Sequence, residues 1–131
     1  MTTFALADTP TLSPDPTQGA FVAYYLVKKN PDMSYDAFRS YEIETHAPMP
    51  LSLPGLQAYR LVFFPPSEDG SQPYDAMATL TFESRAAHDE ALAGEAGQRA
   101  LADLPNVIVP AEMVFLSSVA GEAFVGDLAT D

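Results

Sequence analysis

The stretch from Ala20 to Lys28 is apolar on both faces if it is extended, and this limits the folds open to the chain more than any other feature. Alternation puts Phe21, Ala23, Tyr25 and Val27 on one side and Val22, Tyr24 and Leu26 on the other. A strand of this kind needs cover on both sides. Helices can cover one face, and a second subunit is the natural cover for the other. Further strands are expected over 56–64, 74–82 and 107–119, the last with Pro110 pointing to an edge position or a bulge.

Two helical segments separate these strands. Asn30-Pro31-Asp32 turns the chain, and Ser34 is a good N-cap, with Asp36 in the first turn where the helix dipole favours negative charge. Phe38, Tyr41 and Thr45 follow at helical spacing and predict a buried stripe, widened by Ala37. Arg39, Glu42 and Glu44 fall off it and are expected to face water. Pro48, Pro50 and Pro54 end this helix near Thr45, which leaves His46 at its C-terminus. Ser84 caps a second helix over 85–93. Gly94 and Gly97 loosen it, a further turn or two spans 98–104, and Pro105-Asn106 is expected to break it. The polar loop 65–73 is long for a hairpin.

The order strand, helix, strand, strand, helix, strand predicts an α+β fold. It is a ferredoxin-like βαββαβ unit with a four-stranded antiparallel sheet and both helices on one face. Its uncovered apolar face should pair with a second sheet, giving a dimeric α/β barrel and a homodimer. One domain is expected over 20–120. Residues 1–19, rich in Thr, Pro, Ser and Asp, read as a flexible arm, or as a strap anchored by Phe4 and Leu6, and 121–131 as an acidic tail.

Charge and residue inventory narrow the function. Eighteen acidic residues against six basic ones give a formal charge of -12. Such a chain lacks the cationic footprint of a nucleic-acid binder and is disfavoured at an anionic membrane surface. No apolar run is long enough to span a bilayer, and the first twenty residues lack the basic start and apolar core of a signal peptide. The absence of cysteine fits a cytoplasmic protein and leaves no thiolate nucleophile or metal ligand. His46 and His88 are the only histidines and are far apart in the sequence, so no metal site is expected. There is no phosphate-cradling glycine loop or nucleophile elbow, and no cofactor is expected. His88, beside Asp89 and Glu90, reads as part of a solvated helix face.

What remains is His46 with phenols that can converge on it. A neutral imidazole can take a proton from a carbon acid or a phenol, and Tyr59, Tyr24 or Tyr25 can donate to a developing enolate oxygen. Tyr41, on the helix stripe, is either core or a wall of the same pocket. Arg60 can hold a substrate carboxylate or form an ion pair at the sheet margin. His46 also has a structural reading, as a cap of the helix end or a packing partner of Pro48.

Met33, Ser34, Phe38 and Tyr41, then His46 and Pro48, then Leu53-Pro54-Gly55-Leu56 and Tyr59 together form a pattern. It resembles that of the EthD-like family, named for ethyl tert-butyl ether degradation. The resemblance runs from about Phe21 to Val119. The chain has Ala47 where the family usually has glycine, and Tyr41 where it often has tryptophan. The resemblance implies a dimeric α+β barrel within a superfamily of isomerases, cyclases, cofactor-free oxygenases and members without known activity. Two functions therefore stand side by side. One is a small cofactor-free enzyme acting on an aromatic or lactone-like molecule, with His46 and Tyr59 catalytic and Tyr24, Tyr25, Tyr41 and Arg60 binding substrate. The other is a non-catalytic binding or accessory protein of the same fold.

Overall fold

A computed structural model describes residues 20–118. The arm expected over residues 1–19 and the tail over 121–131 lie outside them. Four strands, β1 (Phe21–Val27), β2 (Ala58–Phe63), β3 (Ala76–Phe82) and β4 (Val114–Ser118), form one sheet in the order β2-β3-β1-β4, with every neighbouring pair antiparallel. Three helices, α1 (Tyr35–Tyr41), α2 (Arg85–Ala93) and α3 (Glu95–Val107), complete the ferredoxin-like fold. The doubly apolar β1 lies inside the sheet, between β3 and β4.

The register aligns the faces. Tyr25 stands opposite Ala78 on one side and Phe115 on the other, and Ala78 opposite Leu61, so these residues share the face beneath the helices. Tyr24, Leu26, Arg60, Val62, Thr79 and Leu116 share the opposite face. Two apolar clusters fill the space under the helices. Phe21, Ala23, Leu53, Leu80, Phe82 and Ala91 form one, and Val27, Phe38, Ala76, Val107 and Ile108 the other.

Each helix has a visible local cause. The Ser34 and Ser84 hydroxyls accept from the amides of Ala37 and Ala87, both at 3.1 Å. At the turn before β2, Pro54 and Gly55 take the two central positions, and Gly55 has φ +80°, a value that suits glycine.

Three boundaries differ from the sequence-based expectation. The first helix does not simply stop. From Glu42 to His46 it widens into a π-helical turn, in which the Ala47 amide donates to the Glu42 carbonyl at 2.8 Å. α3 continues through Pro105 to Val107, because the proline sits in its last turn and removes only one amide while Val107 becomes fully buried. The last strand is correspondingly shorter. Pro110 lies in a single 3₁₀ turn, and β4 begins at Val114, on an edge of the sheet.

α2 and α3 meet at Gly94, and Gly97 lets them meet closely. A Cβ on Gly97 would stand 2.4 Å from the Leu92 Cα and carbonyl oxygen. Those are backbone atoms and cannot swing aside, so Gly97→Ala will destabilise the protein by about 1–3 kcal/mol, read as a fall in denaturation midpoint without a change in slope.

Candidate active site

Between the sheet and the helices, where the two apolar clusters meet, lies a cavity of about 70 Å³. Val27, Leu53, Leu61, Leu80, Leu104 and Ile108 provide much of its wall, and Tyr25 and Tyr59 are part of it. Glu42 is the one acidic residue in this apolar lining.

Glu42 is only 4% exposed. Its carboxylate has no hydrogen-bond partner among the described residues, and Glu42 is one of the residues that line the cavity. Burial pushes its pKa above the ordinary glutamate value. His46 pulls the other way, and Asp103 adds to the rise. The sequence reading placed Glu42 in water and Thr45 on the buried stripe, but Thr45 is exposed. Glu42 follows Phe38 by four residues, one helical turn on, and the π turn carries the same line on to His46; all three are buried.

His46, 7% exposed, is held from α3. Its Nδ1–H donates to Asp103 Oδ2 at 2.9 Å. The Tyr41 hydroxyl donates to Asp103 Oδ1 at 2.6 Å, and the Asn106 side-chain amide donates to the same oxygen at 3.1 Å. Burial alone would raise the Asp103 carboxyl. The hydrogen bonds from Tyr41, His46 and Asn106 outweigh it and hold the group below the usual aspartate range. The accepted hydrogen bond raises the Tyr41 phenol in turn. Glu42, His46 and Asp103 thus join the π turn to α3 through charge as well as packing.

The six residues singled out from the sequence fall in different places. Tyr59 and Tyr25 line the cavity; His46 and Tyr41 meet at Asp103 and do not form its wall. Burial, and secondarily the Glu42 charge, keep the Tyr59 phenol protonated far above neutral pH. Tyr24 and Arg60 flank Thr79 on the opposite face of the sheet, with the Tyr24 hydroxyl 3.1 Å from the Ser118 hydroxyl.

His88 is not on a solvated face. It is 4% exposed and in contact with Phe21, Phe82 and Phe115. Three residues close to the site, Glu42, His88 and Asp103, carry a helical signal that can be read once the helix limits are known. Asp103 follows Ala100 by three residues and precedes Val107 by four, so it sits on the buried stripe of α3.

Among the described residues no cluster of three or more potential ligands is placed to hold a metal ion, and no helix is long and apolar enough to cross a membrane.

A model of the EthD domain family matches residues 30–110, more than half of the chain. The chain belongs to the EthD domain family. No curated protein matches it. Among solved structures, an EthD family protein from Bacillus halodurans is 17% identical with a TM-score of 0.62, over 75% of this chain and 96% of that one. A dimeric ferredoxin-like protein of unknown function from Thermobifida fusca is 14% identical with a TM-score of 0.60, over 86% and 99%. SnoaB, a cofactor-independent oxygenase from Streptomyces nogalater, is 16% identical with a TM-score of 0.52, over 79% and 93%. At these identities the likeness establishes the fold of the EthD chain and leaves its chemistry to its own residues.

Proposed function

We propose that this EthD-family protein is a cofactor-free enzyme that moves a proton on a flat, largely apolar carbonyl compound of aromatic or lactone type. The observation that carries the reading is Glu42, a buried acidic residue in the lining of an apolar cavity, with no hydrogen-bond partner among the described residues. Its raised pKa brings it nearer to neutrality, where a general base works best. Ionised, it takes a proton from carbon next to the carbonyl; the C–H electron pair moves to the oxygen, where the Tyr59 hydroxyl donates a hydrogen bond. The resulting carboxylic acid returns the proton at another carbon, which isomerises the compound, or, where the enolate carbon attacks a second carbonyl of the same molecule and closes a ring, gives the proton to the new alkoxide. His46, fixed by Asp103, acts through Glu42 by tuning its charge and is a positioning residue.

A second reading, a binding protein without chemistry, draws on the same apolar wall and on the engagement of His46 by Asp103. Thermal-shift screening with aromatic, lactone and polyketide-like compounds serves both, because a ligand that binds only the folded state raises its stability. A compound that is bound and turned over selects the enzyme. Compounds that are bound and left unchanged select the carrier.

The protein is further proposed to be a homodimer, with Val22, Leu26, Val62 and Leu116 of two open sheet faces packed together. These side chains share a face that no helix of the described chain covers, and the Thermobifida fusca neighbour is described as dimeric. Light scattering at micromolar concentration should return twice the 14.1 kDa chain mass. A single chain mass removes the dimer and leaves the cavity proposal standing.

A further inference from the structure

The mechanism proposed for Glu42 makes no use of His88, although its surroundings are built for proton transfer. The imidazole is enclosed by the rings of Phe21, Phe82 and Phe115, with centroids 5.1, 5.4 and 5.8 Å away. Two polar partners remain. Asp89 Oδ1 lies 2.8 Å from Nδ1, and the Tyr25 hydroxyl lies 2.6 Å from Nε2. Arg85 stands 3.6 Å from Asp89 on the same helix and lies over Phe21 and Phe115. No other charged group touches the imidazole among the described residues.

This arrangement has a direction. The carboxylate of Asp89 can only accept, so Nδ1 carries the ring proton and donates it. Nε2 is then the lone-pair nitrogen, and the Tyr25 O–H must donate to it. Tyr25 is also a wall of the cavity. With its proton turned toward His88, the Tyr25 oxygen keeps a lone pair for a hydrogen donated by a ligand.

We propose that Asp89, His88 and Tyr25 form a second proton-accepting device for the cavity, directed at a ligand hydroxyl. This deepens the carbonyl-compound reading above by adding a phenolic or enolic O–H to the substrate, and it rests on that reading for its ligand. The step balances as two concerted transfers. The ligand O–H bond breaks and its proton joins the Tyr25 oxygen, while the Tyr25 proton passes to His88 Nε2. The ligand becomes an oxyanion, Tyr25 stays neutral, and His88 becomes an imidazolium facing Asp89. Reversal returns the proton to the product. Asp89 orients the ring and fixes its tautomer, as the carboxylate of a Ser-His-Asp triad does. It is a positioning residue, and its side chain is 58% exposed, so it can be changed without opening the core.

The test needs no substrate and is independent of Glu42. A tyrosine whose proton is taken by a histidine is a nucleophile toward a small sulfonyl fluoride. With methanesulfonyl fluoride, the Tyr25 oxygen bonds to sulfur, fluoride leaves, and the phenol proton goes to Nε2. Mass spectrometry of the full chain should find the adduct on Tyr25 ahead of the other tyrosines. Asp89→Asn offers an amide that can donate to Nδ1, which moves the ring proton to Nε2. It should slow labelling at least tenfold with an unchanged melting temperature, and Asp89→Glu should restore part of the rate. Nitrogen-15 NMR should show His88 protonated at Nδ1 in the unmodified protein. An Nε2–H tautomer, no adduct on Tyr25, or equal labelling of Asp89→Asn overturns the proposal. None of these outcomes bears on the carboxyl group of Glu42.

Discussion

Glu42→Gln will lower turnover of a compound found by screening by about 100-fold or more, the usual scale for losing a general base, and will change its binding much less. The amide keeps the shape and polarity of the side chain but cannot take a proton at neutral pH. The same substitution will raise the melting temperature at neutral pH. The Glu42 carboxyl holds its proton more tightly in the folded protein than in the unfolded chain. The stability this contributes is complete below the unfolded value of about 4.3 and is lost as pH rises through the higher folded value. At neutral pH the wild-type protein carries a buried anion without that benefit, and glutamine relieves it. The advantage of the variant should shrink as pH falls toward about 4, which melting curves across that range will follow. Loss of activity with a gain in stability is the signature of a strained functional group; loss of both would mark Glu42 as structural.

Asp103→Ala will destabilise the protein by about 1–3 kcal/mol or more, the range for leaving a buried hydrogen-bonding group without its partner. It removes the acceptor for His46, Tyr41 and Asn106 together, so three donors lose a partner at the contact between α3 and the π turn. Here the dependence on pH has the opposite sign. The Asp103 carboxyl is lowered in the folded protein. Its contribution is present above the unfolded value of about 3.9 and disappears as pH falls through the lower folded one. Denaturant titration at neutral pH and in acid should find the wild-type margin over the variant large at the first and reduced at the second. An Asp103→Ala protein as stable as wild type at pH 7 would mean that the four side chains are neighbours and not a unit.

The strands were legible because their signal is local. Period two is read within seven residues, and the register of β1 with β3 and β4 puts Phe21, Ala23, Tyr25 and Val27 on the face that alternation assigns them. Ser34 and Ser84 were legible for the same reason, since a cap is a bond to a residue three positions away. The EthD pattern added the connections.

The site was harder to read because its decisive features are tertiary. Glu42 lies one helical turn after the buried Phe38, but its charge reads as solvated; the contact between the π turn and α3 is what covers it. His88 looked solvated from its neighbours Asp89 and Glu90, but the ring belongs with Ala91, three residues on, which is buried in the core. Asp103 shares its buried stripe with Val107, which lies beyond Pro105 in the last turn of the same helix. In each case a charged or polar side chain lies on an apolar stripe whose limits depend on packing across the sheet.

The carboxyl resonance of Glu42, followed by carbon-13 NMR from pH 3 to 9 with Glu42→Gln to assign it, tests the central claim most directly. The account predicts a midpoint clearly above about 4.3, the value of an unperturbed glutamate. A midpoint at or below that value would place the carboxylate in water or on a cation, and would contradict a base buried at an apolar cavity.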